Sequence, residues 1–139
     1  MARKAMGAIL VMATAALVTG LAWAQMDLPV IKEQKQGEVR YLVGGVGTEE
    51  REYMQSQASN YNLKLVFAVA SREYLAGVKV VILDPNGKTY VTTTTDGPWM
   101  MVRLPEGDYL VQATSNGQTQ VQKLKLGKAL QTLNFHWKQ

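Results

Sequence analysis

The sequence predicts an all-β fold, a small antiparallel β-sandwich of about seven strands with one short helix near the N-terminus. Two observations carry this expectation. From Asn62 onward the apolar residues recur with a period of two, and turn signatures (DPNG, DGP, PEG, NG) break the chain roughly every 8 to 12 residues. A third sets its terms: none of the 139 residues is cysteine, so the domain holds together on its hydrophobic core alone, without disulfides, thiolate chemistry or cysteine-ligated metals.

The N-terminus has the layout of an export signal. Arg3 and Lys4 form a positive start, an uncharged apolar run follows, Gly20 interrupts it, and Ala22-Trp23-Ala24 fits a small-x-small cleavage site. The processed chain then begins at Gln25. The alternative is an uncleaved anchor, since Ala5 to Ala24 is 20 residues without a charge and a spanning helix needs about 20. Without residues 1–24, 13 basic residues face 11 acidic ones, a net of +2 against +4 for the whole chain. The basic residues are scattered singly from Lys32 to Lys138, which is not the footprint of a nucleic-acid binder.

Residues 25–37, rich in Gln and Lys and without periodicity, read as a flexible leader. In EVRYLVGGVG, Val39, Tyr41 and Val43 alternate with Glu38, Arg40 and Leu42, a short strand or extended arm. TEEREYMQSQASNY has Thr48 as N-cap, three glutamates in its first turn, and Met54, Ala58 and Tyr61 at helical spacing. Residues 38–61 thus form an N-terminal strand and helix, the helix expected to cap an end or edge of a sandwich built from 62–139.

Leu63, Leu65, Phe67 and Val69 share one strand face, and Val78, Val80 and Ile82 share the next. Asp84-Pro85-Asn86-Gly87 is a tight hairpin, with an acceptor first, a proline of preset φ second and a glycine for the left-handed position. Tyr90 to Thr95 returns, Asp96-Gly97-Pro98 turns, and Trp99 to Leu104 is the next strand. Pro105-Glu106-Gly107 turns into Asp108 to Thr114, with Tyr109, Val111 and Ala113 on one face. Asn116-Gly117 is a two-residue hairpin leading to Thr119 to Leu126, and Leu133, Phe135 and Trp137 share the last strand.

The succession DPNGK, TDGPW and LPEGDYLV resembles the carboxypeptidase regulatory-like domain, a transthyretin-like (prealbumin-like) sandwich. Asp96, Gly97, Trp99, Leu104, Pro105, Gly107, Tyr109 and Val111 match that family's pattern of an Asp-Gly turn before an aromatic strand and a Leu-Pro-x-Gly turn before a tyrosine strand. The match covers Leu75 to Leu126 by motif. The span from Tyr41 to Trp137 more loosely resembles small secreted proteobacterial proteins named only for this domain, which implies no activity. The resemblance makes Trp99 and Tyr109 core residues.

The catalytic inventory is thin. Asp84 and Asn86 imitate the start of a calcium loop, but Lys88 stands at its fifth position and Thr95 at its twelfth, where a glutamate belongs. Asp96 is expected to hydrogen-bond its own turn. His136, the lone histidine, alternates away from Phe135 and Trp137 and reads as a solvated edge residue, so no zinc site or histidine triad assembles within one chain. Glu49, Glu50 and Glu52 serve the helix dipole, and they would repel an anion from a GGVG nest. Tyr74, in the SREYLAG loop, and Tyr90 are the candidate ligand contacts if they lie close together, as a weak carbohydrate or peptide site; scattered surface tyrosines are the alternative. The expectation is a non-catalytic exported binding module, periplasmic or secreted, with no cofactor or metal and an envelope protein or glycan as partner. A carbohydrate-binding module is the second reading and an enzyme of unrecognised type the third.

Overall fold

The computed structural model describes residues 30–69, 71 and 74–138. The expected export signal, its expected Gln25 boundary and the start of the expected leader lie outside these residues. Two sheets face each other. One runs in the order β1 (Gln34–Gln36), β2 (Val39–Gly44), β6 (Trp99–Arg103), β3 (Leu63–Val69), β9 (Gln131–Trp137); the other in the order β5 (Thr89–Thr94), β4 (Lys79–Leu83), β7 (Gly107–Ser115), β8 (Gln118–Leu126). The all-β sandwich is as expected, with nine strands among the described residues instead of about seven. The additional strands are β2, which joins the sheet beside β6, and β1, the end of the segment read as a flexible leader.

Both expected hairpins form. Asp84 closes the first through its backbone, with Gly87 N–H donating to Asp84 O at 3.0 Å. Its carboxylate also accepts from Asn86 N–H at 2.9 Å and Lys88 N–H at 3.0 Å. Gly87 takes φ 89°, a conformation closed to most side chains. In the second, Asn116 (φ 50°) and Gly117 (φ 76°) make the two-residue turn between Ser115 and Gln118.

One pair is parallel, against the antiparallel expectation. β8 ends at the same pole where β3 begins, and Gly127–Leu130 crosses from one sheet to the other there, so β9 starts beside β3 and runs with it, Leu63 opposite Gln131 through Val69 opposite Trp137. Asn62 fixes this crossing. Buried at 1% exposure, it donates through Nδ2 to Leu104 O (2.8 Å) and Gly127 O (2.9 Å) and accepts from Leu104 N–H (3.0 Å), while its backbone carbonyl takes Gln131 N–H.

The main core lies between the sheets and contains the expected faces, Leu63, Leu65, Phe67, Val78, Val80, Ile82, Val111 and Phe135 among them. A second core lies outside the five-stranded sheet, where helix α1 (Gly47–Ser56) and the 3-10 turn Ala58–Asn60 cover it: Met54 and Tyr61 pack on Leu42, Trp99 and Met101. The helix therefore lies on a sheet face and does not cap an end or edge. The sequence carries the reason, because WMMV and YLV are unbroken apolar runs, as strands covered on both faces are. Thr48 is not the N-cap. That position is Val46, without a side-chain cap, and the Glu50 carboxylate accepts the Val46 N–H at 3.0 Å.

Candidate functional site

Strand directions gather the chain's connections at two poles. At one, the β1–β2 turn, the β4–β5 hairpin, the β6–β7 turn and the β8–β9 crossing frame a cleft of about 960 Å³. Arg40, Lys88, Tyr90, Arg103, Pro105 and Lys128 are among the residues that line it, with Glu38 and Glu106 at its border. A smaller hollow of about 520 Å³ lies on the hairpin's flank between Pro85, Tyr109 and Leu124.

The LPEGDY segment builds one wall. Pro105 and Gly107 turn the chain, and the Tyr109 hydroxyl donates back to Pro105 O at 2.6 Å, locking the turn to the strand that leaves it in the manner of a tyrosine corner. Burial, then the neighbouring Tyr90 and Asp84, push the Tyr109 hydroxyl up to about 12. Tyr90 meets Tyr109 edge to face, with centroids 5.4 Å apart at 80°, and Lys88 Nζ stands 5.0 Å from the Tyr90 ring. The cleft thus has one rigid, half-buried aromatic ring beside a cation.

Of the cations, Arg40 pairs with Glu33 at 3.7 Å, and Glu33 also accepts the Tyr61 hydroxyl. Burial first, then that hydrogen bond and the Glu33 charge, hold Tyr61 protonated well above the ordinary tyrosine range. Arg103 and Lys128 have no ion-pair or hydrogen-bond partner among the described residues.

Tyr74 sits at the other pole, where it bridges Ala68 at the end of β3. The two candidate tyrosines therefore do not converge on one site. Exposed at 52%, Tyr74 stacks on Arg51, whose guanidinium is 4.9 Å from its ring centroid and 5.9 Å from that of Trp99; Lys64 Nζ lies 3.6 Å from the Trp99 ring. Burial lowers the Lys64 pKa. Trp99 is thus buried under the helix, walled by Gly45, on which an added Cβ would come within 2.8 Å of the ring. Tyr109 is buried in the main core, as is Leu104.

Asp96 is at the Tyr74 pole, exposed, and its carboxylate accepts no hydrogen bond from its turn among the described residues. That turn is held instead by Gly97, whose α-carbon packs so close to β2 that a Cβ would lie 2.3 Å from Gly44 O. His136 is exposed on the edge strand β9. Among the described residues no three His, Asp or Glu side chains come together as a metal site would require. No helix among them is long and apolar enough to cross a membrane.

Sequence reasoning missed Asn62, Arg40 and Arg103. Asn62 left a trace only as a polar residue heading an apolar strand. The arginines come together through the pairing of β2 with β6, which no local pattern reveals. No protein-family model matches the chain, and no curated protein matches it in sequence.

Proposed function

We propose that this protein is a non-catalytic exported binding module of the bacterial envelope, built on a carboxypeptidase regulatory-like sandwich, that holds its partner in the cleft at the LPEGDY pole. The observation that carries the reading is the cleft itself. Four connections on a rigid two-sheet scaffold frame about 960 Å³, the upper range of ligand sites, and binding residues favour loops held by rigid scaffolds. The LPEGDY corner supports the family resemblance, because the motif's proline and tyrosine are joined by a hydrogen bond that explains their spacing.

Photo-crosslinking in living cells tests this. A photoreactive side chain at Thr89 or Glu106, both lining the cleft, is expected to give discrete adducts with an envelope component; one at Thr119, exposed on β8, is not. Equal labelling from all three positions, or none from the cleft, overturns the reading.

The second reading, a weak carbohydrate-binding module, is favoured by Tyr90 alone, whose ring borders the cleft. Tyr90→Ala then abolishes retention on cell-wall glycan and Tyr74→Ala does not.

A further inference from the structure

Three cations stand in a row on the outer face of the five-stranded sheet. Lys35 is the register partner of Arg40 across β1 and β2, and Arg40 is the partner of Arg103 across β2 and β6. All three point away from the sandwich interior, because Val39, Tyr41 and Val102, which alternate with them, enter the main core. Helix α1 and the turn after it cover this face over Leu42, Val66, Trp99 and Met101. Neighbouring strands are about 4.8 Å apart, so the row is straight and spans roughly 10 Å.

Like charges directly opposite on adjacent strands destabilise a sheet. Here one carboxylate, Glu33, answers three cations, and it reaches Arg40. Two of the three, Arg40 and Arg103, also line the cleft, where Lys88 and Lys128 add charge. Glu38 and Glu106 border the cleft and, among the described residues, pair with none of these cations. An arrangement that costs the free protein stability is explained by an anion that the bound protein holds.

We propose that the Lys35–Arg40–Arg103 row and the adjoining cleft bind a linear acidic glycan carrying an anionic group about every 5 Å. This rests on the reading of the cleft as the binding site and names its ligand class. Guanidinium groups take carboxylate or phosphate through paired hydrogen bonds, and the Tyr90 ring and Pro105 offer apolar surface to the sugar faces between the charges. Two competing partners fit less well. Extended peptides dock by adding a strand to a sheet edge; Gln36 occupies the backbone of β5 and Gln120 and Gln122 that of β9, and a strand added at β1 would be separated from Arg103 by β1 and β2. A flat lipid surface meets the row on the outer face but does not reach into the cleft beside Lys88 and Tyr90.

Calorimetry on the full chain, in the form the cell delivers, tests the inference with four probes at low and high salt: polygalacturonate, neutral dextran of equal length, inorganic polyphosphate, and phosphatidylglycerol vesicles. Polygalacturonate is expected to bind, less tightly as salt rises, and dextran not to bind. Arg103→Gln weakens the affinity about tenfold, as does Tyr90→Ala, whereas Lys79→Gln on the other sheet changes nothing. At low salt, Arg103→Gln melts no lower than wild type, since it removes a repulsion; a structural arginine predicts the reverse. Equal binding to vesicles, binding to polyphosphate alone, or a variant that melts several degrees lower while binding normally overturns the proposal. Cleft crosslinks in cells with no polyanion binding would discard the acidic glycan and leave the binding module standing.

Discussion

Removing the Asn62 side chain is the most direct test of how the two sheets are tied together at the cleft. Asn62→Ala deprives Leu104 of the partners of both its N–H and its C=O, at 3.0 and 2.8 Å, and Leu104 is 3% exposed, so water does not replace them. Gly127 O also loses its donor, but Gly127 is half-exposed and rehydrates. Two buried backbone groups left unpaired cost about 1–3 kcal/mol each, hence about 4 kcal/mol together, a large share of the roughly 5–15 kcal/mol that holds a domain of this size. With a urea m-value of about 2 kcal/mol/M, the unfolding midpoint falls by about 2 M. Asn62→Asp is the companion. Its carboxylate keeps the bond from Leu104 N–H but faces two carbonyls, so the neutral acid is favoured in the fold and its pKa there is raised. The unfolded chain then ionises first, near pH 4, and the variant loses stability as pH rises above that value, a dependence Asn62→Ala lacks. Urea titrations at pH 4 and pH 7, followed by tryptophan fluorescence, measure both effects. A midpoint shift for Asn62→Ala below about 0.5 M would refute the reasoning, because it would mean that the Leu104 turn reaches water in the folded state.

Trp99→Ala empties the space between Gly45 and Lys64 and is expected to cost about 3–5 kcal/mol, read as a urea midpoint; an unmoved midpoint would place the ring on the surface. Tyr109→Phe loses the bond to Pro105 O and about 1 kcal/mol. In the wild type the folded Tyr109 holds its proton up to about 12, while an unfolded tyrosine releases it near 10, so stability falls as pH rises through that window. Tyr61, raised by burial and by Glu33, adds to the fall, and Tyr109→Phe makes it smaller, which melting curves from pH 9 to pH 12 check. Intact-mass analysis of fractionated cells is expected to find a processed chain starting at Gln25 in the periplasm; a Met1 species held in the inner membrane would support the anchor instead.

The strands and turns after Asn62 were legible because each is specified locally. Asp84 and Gly87 close their hairpin with their own backbone and carboxylate, Asn116 and Gly117 supply the two left-handed residues of theirs, and period-two faces such as Leu63-Leu65-Phe67 need only one buried side. What stayed hidden depends on pairing across long separations. Wherever β2 lands, its Leu42 gains or loses a helix to pack against, and Val39–Gly44 reads as an arm until β6 stands beside it. The same holds for the cleft. Tyr90 stood out as a candidate by its chemistry, whereas Arg40 and Arg103 are ordinary solvated residues until the register places one opposite the other. Tyr74 misled for the converse reason: chemistry made it a partner for Tyr90, and strand direction sent it to the opposite pole.

The glutamines show how the flanks of the sandwich are closed. In β8 the inward positions run Gln118, Gln120, Gln122, Leu124, Leu126, so the half that ought to be apolar by alternation is amide. Those amides face the backbone of another sheet's edge. Gln122 Nε2 donates to Asn134 O at 2.8 Å and Gln120 Nε2 to His136 O, while Trp137 Nε1 donates to Gln118 O at 3.0 Å, so β8 and β9 are laced together across the two sheets. On the opposite flank Gln36 does the same with both ends of its amide, donating to Thr92 O at 2.8 Å and accepting from Thr92 N–H at 3.0 Å, which joins β1 to β5. A side-chain amide has the donor and acceptor of a peptide group, so each flank is closed as an added strand would close it. Exposed edges invite pairing with other chains, and here the β5 and β9 edges are occupied by the protein's own side chains at the cost of apolar core. With its flanks laced and α1 over part of one outer face, the sandwich keeps a cleft of about 960 Å³ at the pole, where Arg103, Lys88 and Tyr90 are among the lining residues.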